Sequence, residues 1–200
     1  MADNILKLFS TPLRQSYLSV PHRILEFVKS QEYRFHGNGA TTHEYILECP
    51  EMESVKNFIT KKVESYLYET CSISDDMTIE LVTSWLNLHK KGDWAQQHSH
   101  YNSVISGVWY ILTTDKSGEF MVHAEQKLFG NLLDFPKRVY NEFNCGQYEF
   151  VPENGDLILF PSTLRHSVTP NQSDKNRYSL AFNYMIRGDV KSGKSTTVKL

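Results

Sequence analysis

The chain has 200 residues, 40% hydrophobic and 12% aromatic, a composition typical of a folded globular protein and not of a disordered one. Its 21 Lys and Arg and 23 Asp and Glu leave a net charge of −2, which gives no strong signal for nucleic acid as a partner. No apolar segment reaches the length of a membrane span. We therefore expect residues 1–200 to form a single domain outside the membrane.

The three cysteines indicate a reducing environment. Cys49, Cys71 and Cys145 are odd in number and far apart, which argues against a disulfide framework and against a zinc site. Reduced thiols favour a cytoplasmic localisation. The sequence is compatible with a homodimer and has no feature that requires one.

The first third of the chain is predicted to be helical. A helix is expected to begin at Pro21, because apolar residues recur at helical spacing from there through Val28. A second helix is expected to follow Pro50 and to run to about Glu69 on the same pattern. Residues 1–75 are interpreted as helical support for the rest of the chain.

From Met77 onward the hydrophobic period changes from helical to alternating, which predicts short strands. The predicted strands are 78–88, 104–112, 119–123, 147–151, 156–160, 165–168 and 177–186. Asn154-Gly155 is typical of a tight hairpin turn between two of them. About eight strands after two helices predict a mainly β fold. We expect a double-stranded β-helix, or jelly-roll barrel, over residues 76–187, and a flexible tail over 188–200.

Three histidines and one arginine are the candidate functional residues of this region. Alternate residues of a strand point to the same side, so His98 and His100 can hold one metal ion if their backbone is extended. The alternative is a pair of surface histidines, because residues 96–102 are polar throughout. His166 lies among predicted strands, and Arg177 opens another one. A metal held by imidazoles beside a cation that can bind an acid is typical of oxygen chemistry.

Six motifs lie between Trp85 and Asn183: Trp85-Leu86-Asn87, His98-Ser99-His100, Ser106-Gly107-Val108-Trp109-Tyr110, residues 155–161, residues 164–170 and residues 177–183. Together they resemble the motifs of the iron(II)/2-oxoglutarate-dependent oxygenases, most closely those of a bacterial and phage group of 2OG-Fe(II) oxygenases. Their order and spacing carry the resemblance, because no single motif is specific. The resemblance implies a jelly-roll dioxygenase, an oxidoreductase that uses Fe(II) and 2-oxoglutarate to hydroxylate a substrate that the sequence does not identify.

The resemblance also implies roles for individual residues. His98 takes the first metal-ligand position and His166 the distal one, in the facial arrangement that leaves open positions on the metal. Arg177 is expected to pair with the far carboxylate of 2-oxoglutarate, since a guanidinium can form two parallel hydrogen bonds to it. Ser179, on the same strand face, and Tyr110 are expected to donate further hydrogen bonds to the cosubstrate.

One position departs from the superfamily, which usually has Asp or Glu where this chain has His100. Three neutral imidazoles leave a ferrous site at +2, and such a set also suits zinc, copper or nickel. If His100 is not a ligand, Asp93 or Glu125 must be considered. His123-Ala124-Glu125 is itself a His-x-Glu sequence, but it begins a polar insertion. The remaining histidines, His22, His36, His43 and His89, are interpreted as surface or core residues.

Candidates for the substrate pocket are Trp94, Tyr101 and His123. The insertion from Ala124 to Gly146 carries four aromatic residues that either form a wall or lid over the pocket or cover the barrel. These residues are Phe129, Phe135, Tyr140 and Phe143.

Three further interpretations compete with the oxygenase. A cupin-type metalloenzyme without 2-oxoglutarate fits Gly92 and the His pair that follows it, but it has no need of Arg177. A non-enzymatic jelly-roll binding module leaves the three histidines unexplained. Gly188 to Ser195 matches the phosphate-binding loop pattern in full, yet too few residues follow for the helix that such a loop requires.

Overall fold

The computed structural model describes residues 5, 8, 10–74, 76–125, 135–192 and 196–199. Its helices are α1 (His22–Ser30) and α2 (Glu53–Ser65), and α2 continues into a π-helical turn at Tyr66–Thr70. Short 3₁₀ turns at Ile46–Glu48 and Pro50–Met52 precede α2. Both predicted helices are therefore present, and Pro21 directly precedes α1 as the spacing indicates.

The strands form two antiparallel sheets and a small hairpin. In chain order they are β1 (Arg14–Tyr17), β2 (Arg34–His36), β3 (Gly39–Thr41), β4 (Thr78–His89), β5 (Ala95–His98), β6 (Ile105–Leu112), β7 (Phe120–His123), β8 (Gln147–Phe150), β9 (Asp156–Pro161), β10 (His166–Val168), β11 (Arg177–Arg187), β12 (Asp189–Ser192) and β13 (Thr196–Lys199). The large sheet has the order β1-β9-β6-β11-β4-β3-β2, and the small sheet has the order β5-β10-β7-β8. β12 pairs with β13. Every strand predicted from Met77 to Ile186 is present.

The alternation of side chains along the large sheet separates two packed layers. In β9, Leu157 and Leu159 join the core that contains α1 and α2, whereas Ile158 and Phe160 join a smaller cluster with Phe120 of β7. The helices therefore cover one face of the large sheet, and the small sheet faces the other. This two-layer antiparallel arrangement is the mainly β fold that the sequence predicts.

The helices are held by apolar faces rather than by caps. Ile24 and Val28, one turn apart on α1, are fully buried, as are Ile59 and Val63 on α2. Neither helix has a side-chain hydrogen bond at its N-cap. Burial of each of these side chains contributes roughly 1.5–3 kcal/mol, which exceeds what a cap would add. Among the described residues, no helix is long and apolar enough to cross a membrane.

The structure differs from the sequence-based expectations in three places. Residues 1–75 are not only helical, because β1, β2 and β3 join the large sheet. Asn154-Gly155 forms a turn with Gly155 at a φ of +95°, but it links the small sheet to the large one, since β8 pairs with β7 and β9 with β6. The expected flexible tail contains the paired strands β12 and β13, whose alternating residues permit a hairpin.

Gly107 is required by the close contact of β6 with its neighbours. A Cβ at this position would lie 2.8 Å from Leu159 Cδ2 and 2.5 Å from Phe182 Cε2, which are core contacts of β9 and β11. We expect Gly107→Val to lower the free energy of unfolding by about 3 kcal/mol, because the core cannot expand to admit the side chain. Urea denaturation of the purified protein measures this loss.

The matched control is Ala181→Val on the adjacent strand, where the added methyl groups extend from a residue that lines an open cavity. It should change the free energy of unfolding by less than about 1 kcal/mol. Equal losses in the two variants would contradict the steric explanation for Gly107.

Candidate metal and cosubstrate site

The pairing of β5 with β10 brings two of the candidate ligands together. His98 is the last residue of β5 and His166 is the first residue of β10, and the two are direct partners in the antiparallel register. Their ring centroids lie 4.3 Å apart. Cross-strand partners point to the same face of a sheet, so both imidazoles face the interior between the two sheets.

His100 joins this pair from the loop after β5. Its ring centroid lies 5.1 Å from that of His98 and 5.1 Å from that of His166. One nitrogen from each of the three rings lies within 4.8 Å of the others, a spacing that can close around one metal ion. No carboxylate belongs to this group among the described residues.

The expectation that His98 and His100 share one strand is not met. β5 ends at His98, and His100 is held instead by its backbone N–H, which donates to the carbonyl of Ser162 at 2.9 Å. Ser162 follows β9 and is buried, so this hydrogen bond ties the loop to the large sheet. The residues converge through a loop contact that the spacing of the two histidines does not predict.

Backbone carbonyls fix the orientation of two of the three rings. Nδ1 of His98 lies 2.7 Å from the carbonyl oxygen of Gln96, and Nδ1 of His166 lies 2.9 Å from that of Leu164. A carbonyl oxygen can only accept, so Nδ1 carries the proton in each ring and Nε2 keeps its lone pair. Histidines that bind metals usually donate their other ring N–H to a carbonyl or carboxylate in this way, which fixes the orientation of the ring.

Burial keeps the imidazoles neutral. The pKa of His166 is lowered to about 3 and that of His100 to about 4. In both cases the main cause is burial, and the second cause is the neighbouring His98. Neutral imidazole is the form that coordinates metals. The rings of Phe120 and Phe160 flank His166 at 5.4 and 4.9 Å, so the floor of the site is apolar.

Arg177 is a buried cation. It is 2% exposed, and it forms no salt bridge within the described part of the chain. Nη2 lies 2.9 Å from Nδ1 of His89, and Nη1 donates to the carbonyl of Gly118 at 3.3 Å. The Nε–H is buried and has no hydrogen-bond partner among the residues that the structure describes. Burial lowers the pKa of Arg177, the Tyr110 phenol and the Glu119 carboxylate partly offset this effect, and the guanidinium stays protonated.

Ser179 and Tyr110 lie beside Arg177 as expected. Ser179 is two residues along β11 and is the direct partner of Tyr110 on β6. The Tyr110 ring stacks 5.7 Å from the guanidinium carbon, and burial raises the pKa of its phenol. All three side chains line the same cavity as the histidines. A buried cation with an unmatched N–H and two hydroxyl donors suits a carboxylate.

The cavity has a volume of about 570 Å³ and opens between the two sheets. Trp94, a predicted pocket residue, lines its mouth and is 40% exposed. Tyr101 and His123 are not among the lining residues. Tyr101 is 86% exposed, and His123 bonds instead to the hydroxyl of Ser167 at 2.8 Å.

Other sequence candidates lie away from the histidines. Asp93 accepts a hydrogen bond from the backbone of Lys90, and Glu125 is exposed, so neither joins the cluster. In the described part of the insertion, Phe135, Tyr140 and Phe143 are exposed and do not line the cavity, while Phe129 lies outside the described residues. Residues 193–195 of the phosphate-loop pattern also lie outside them. The part of that pattern at 189–192 is a strand, not the start of a helix.

Part of the cavity wall is not among the residues expected from the sequence. Three residues that alternate along β4 line the cavity, namely Trp85, Asn87 and His89. The period of two was visible in the sequence and could have placed all three on one face. The hairpin of β2 and β3 forms another wall, which its short polar strands gave no reason to expect.

Comparison with known proteins identifies the family. A family model described as “Putative 2OG-Fe(II) oxygenase” matches residues 83–183, half of the chain. The chain belongs to this family of oxidoreductases, whose cofactors are iron(II) and 2-oxoglutarate. A search of curated proteins found no match.

Solved structures of low identity have the same fold. A prolyl-4-hydroxylase from Pseudomonas putida is 14% identical with a TM-score of 0.60, over 90% of this chain and 96% of that one. A 2OG-Fe(II) oxygenase family oxidoreductase from Burkholderia pseudomallei is 15% identical with a TM-score of 0.59, over 82% and 76%. HygX from Streptomyces hygroscopicus, solved with nickel and 2-oxoglutarate, is 11% identical with a TM-score of 0.58, over 88% and 83%. The fold is therefore the jelly roll of these oxygenases.

The residues present fit both cofactors of the family. Three neutral imidazoles with converging nitrogens suit a divalent metal, and the buried Arg177 with an unmatched N–H suits a dicarboxylate. The cupin and binding-module interpretations are set aside, because family membership makes the chain an oxygenase and neither alternative explains Arg177.

Buried neutral histidines should make the metal-free protein sensitive to acid. Burial and Arg177 lower the pKa of His89 to about 3, as burial and neighbouring histidines do for His166. In the unfolded chain these groups titrate near their ordinary pKa of about 6.5, so below that pH the unfolded state binds more protons. Their contribution to stability is full above about pH 6.5 and is lost as the pH falls toward 3.

We therefore expect the free energy of unfolding to fall by about 1.4 kcal/mol per pH unit for each such histidine below pH 6.5. Urea denaturation at several pH values measures the slope. His89→Gln should make this slope shallower by about 1.4 kcal/mol per pH unit, because one buried histidine is removed. A stability that is flat from about pH 7 to about pH 5 would contradict this account.

Proposed function

We propose that His98, His100 and His166 hold iron(II), and that Arg177 binds the far carboxylate of 2-oxoglutarate with help from Ser179 and Tyr110. The observation that carries the proposal is that one cavity contains both the converging imidazoles and the buried, unpaired guanidinium. The reaction is the hydroxylation of a substrate that enters at the mouth lined by Trp94.

Iron(II) with 2-oxoglutarate supplies the activation of oxygen, and couples decarboxylation of the cosubstrate to oxidation of the substrate. The protein's own contribution is position and electrostatics. Leu164 and Gln96 hold the ring nitrogens in the coordinating tautomer, and Phe120 and Phe160 keep water from one side of His166.

The far carboxylate and Arg177 form a charge-balanced pair in the proposed site. Three neutral imidazoles leave iron(II) at +2, and the metal-binding carboxylate of the cosubstrate lowers the charge at the metal to +1. Arg177, at the other end of the cosubstrate, compensates the far carboxylate with a cation that the fold has already buried. The cost of desolvating that cation is met during folding, so binding adds a charge-assisted hydrogen bond without a new desolvation of the protein.

We also propose that the protein is cytoplasmic. Cys49, Cys71 and Cys145 are all free thiols, and Cys71 is exposed, which suits a reducing compartment. Fractionation of cells that produce the protein would test this localisation.

Anaerobic addition of iron(II) and 2-oxoglutarate should produce the visible charge-transfer absorption of the metal–cosubstrate chelate. The physical reason is that the 2-oxo acid end must bind the metal while the far carboxylate reaches Arg177. Absorption spectroscopy checks this directly. If metal analysis demonstrates bound iron and no band forms, 2-oxoglutarate does not chelate the metal as proposed.

Variants of His100 test the three-histidine ligand set. His100→Ala should lower iron affinity by about a hundredfold, because one of three protein ligands is lost. His100→Asp should retain iron, since it restores a carboxylate ligand and lowers the charge of the site by one. Metal titration measures both, with His36→Ala, at the mouth of the same cavity, as the control. Iron binding by His100→Ala at the level of the parent protein would show that His100 is not a metal ligand.

Arg177→Ala should separate cosubstrate binding from metal binding. We expect 2-oxoglutarate affinity to fall by about 2–4 kcal/mol, or roughly 30- to 1000-fold, while iron affinity stays within a few-fold. Calorimetric titration under anaerobic conditions measures both affinities. Arg187→Ala, at the exposed end of the same strand, is the matched control and should change neither. An unchanged affinity for 2-oxoglutarate would remove Arg177 from the site.

A further inference from the structure

His89 is a buried histidine that the metal group does not include. It is 6% exposed, it is the last residue of β4, and it is the direct cross-strand partner of Arg177 on β11. Its Nδ1 lies 2.9 Å from Nη2 of Arg177. A histidine placed against an arginine in a protein interior is costly unless the imidazole is neutral, so the contact needs an explanation.

The chemistry of the pair fixes the tautomer of His89. A guanidinium has only donors, so Nδ1 of His89 must accept the hydrogen bond and the ring proton must be on Nε2. A protonated ring would instead turn an N–H toward the N–H of Arg177. Burial and the arginine charge hold the pKa of His89 at about 3, and the ring therefore stays neutral at any physiological pH.

The ring of His89 is held from two further directions. A Cβ on Gly39 would come within 2.7 Å of Cδ2 and 3.0 Å of Nε2 of His89, so β3 closes against the ring only because residue 39 is glycine. The backbone of His89 is also fixed, because its carbonyl accepts a hydrogen bond from the Asn171 side chain at 2.9 Å. The imidazole has little room to move away from Arg177.

The guanidinium is consequently held by acceptors of the protein at both terminal nitrogens. Nη2 bonds to His89, and Nη1 bonds to the carbonyl of Gly118 at 3.3 Å. The Nε–H remains as a buried donor without a partner in the described part of the chain, on a side chain that lines the cavity. A cation fixed in this way loses little conformational entropy when a carboxylate binds.

We propose that His89 is a positioning residue that holds Arg177 in the orientation required to select a dicarboxylic 2-oxo acid. This inference rests on the proposed function, because it concerns the same cosubstrate. It adds a specificity determinant: without His89 the guanidinium can rotate, and the advantage of the far carboxylate is reduced. His89 acts through Arg177 and does not itself need to contact the cosubstrate.

The test compares two probes, 2-oxoglutarate and 2-oxobutyrate, which lacks the far carboxylate. Both are titrated calorimetrically into the iron(II) protein under anaerobic conditions, so the readout is binding and not turnover. His89→Leu should weaken 2-oxoglutarate about tenfold or more and leave 2-oxobutyrate and iron within about twofold. His89→Asn, which keeps an acceptor oxygen near the position of Nδ1, should recover most of the loss.

Two further variants test the same effect in case His89→Leu does not fold. Gly39→Ala should force the ring of His89 out of its present contact geometry with Arg177 and weaken 2-oxoglutarate in the same selective way, while the imidazole itself remains. Combining His89→Leu with Arg177→Ala should cause no loss beyond that of Arg177→Ala, because the effect passes through the arginine.

The outcomes separate this inference from the proposed function. If Arg177→Ala weakens 2-oxoglutarate but both His89→Leu and Gly39→Ala match the parent, His89 has no positioning role. If His89→Leu weakens the two probes equally, its effect is not at the far carboxylate, and the inference is overturned. If Arg177→Ala itself has no effect, the proposed cosubstrate site fails, whatever the His89 variants do.

Discussion

The antiparallel pairing of β5 with β10 is the constraint on which the candidate site depends. It places His98 directly opposite His166, in a register that cannot slip by one residue without turning one imidazole to the other face of the small sheet. His100 then needs only the hydrogen bond of its backbone to Ser162 to bring its ring near the other two. The small sheet is thus a support for ligands, and its short strands have no helix layer of their own.

The large sheet holds a buried cation. Arg177 lies at the start of β11 with His89 beside it on β4, and Ser179 faces Tyr110 one step further along. The opposite face of the same strands carries Leu180 and Phe182 into the core under the helices. The apolar face stabilises the sheet, and the sheet in turn holds a guanidinium that forms no salt bridge within the described part of the chain. The free-energy cost of burying this cation is expected at a site that binds an anion.

The sequence allowed most strands between Met77 and Ile186 to be predicted, because each is a short alternating or continuous apolar run, but it did not allow the polar strand β5 to be predicted. It did not allow β1 to β3 to be predicted, since Arg34–His36 and its neighbours are short, polar and exposed, and pairing with β4 stabilises them only in the folded chain. The approach of His98 to His166 could be anticipated from a resemblance. The position of His100 in a loop, and the contact of His89 with Arg177, depend on long-range pairing that local patterns do not encode.

Family membership and the fold leave the ligand set of this chain as the central claim, because the usual carboxylate is replaced by His100. The most direct measurement is an anaerobic crystal structure with iron(II) and 2-oxoglutarate. Our account predicts one metal bonded to a nitrogen of His98, His100 and His166 at about 2.0–2.2 Å, with the far carboxylate of 2-oxoglutarate against Arg177. A metal that is bound by an acidic side chain in place of His100, or a carboxylate away from Arg177, would contradict it.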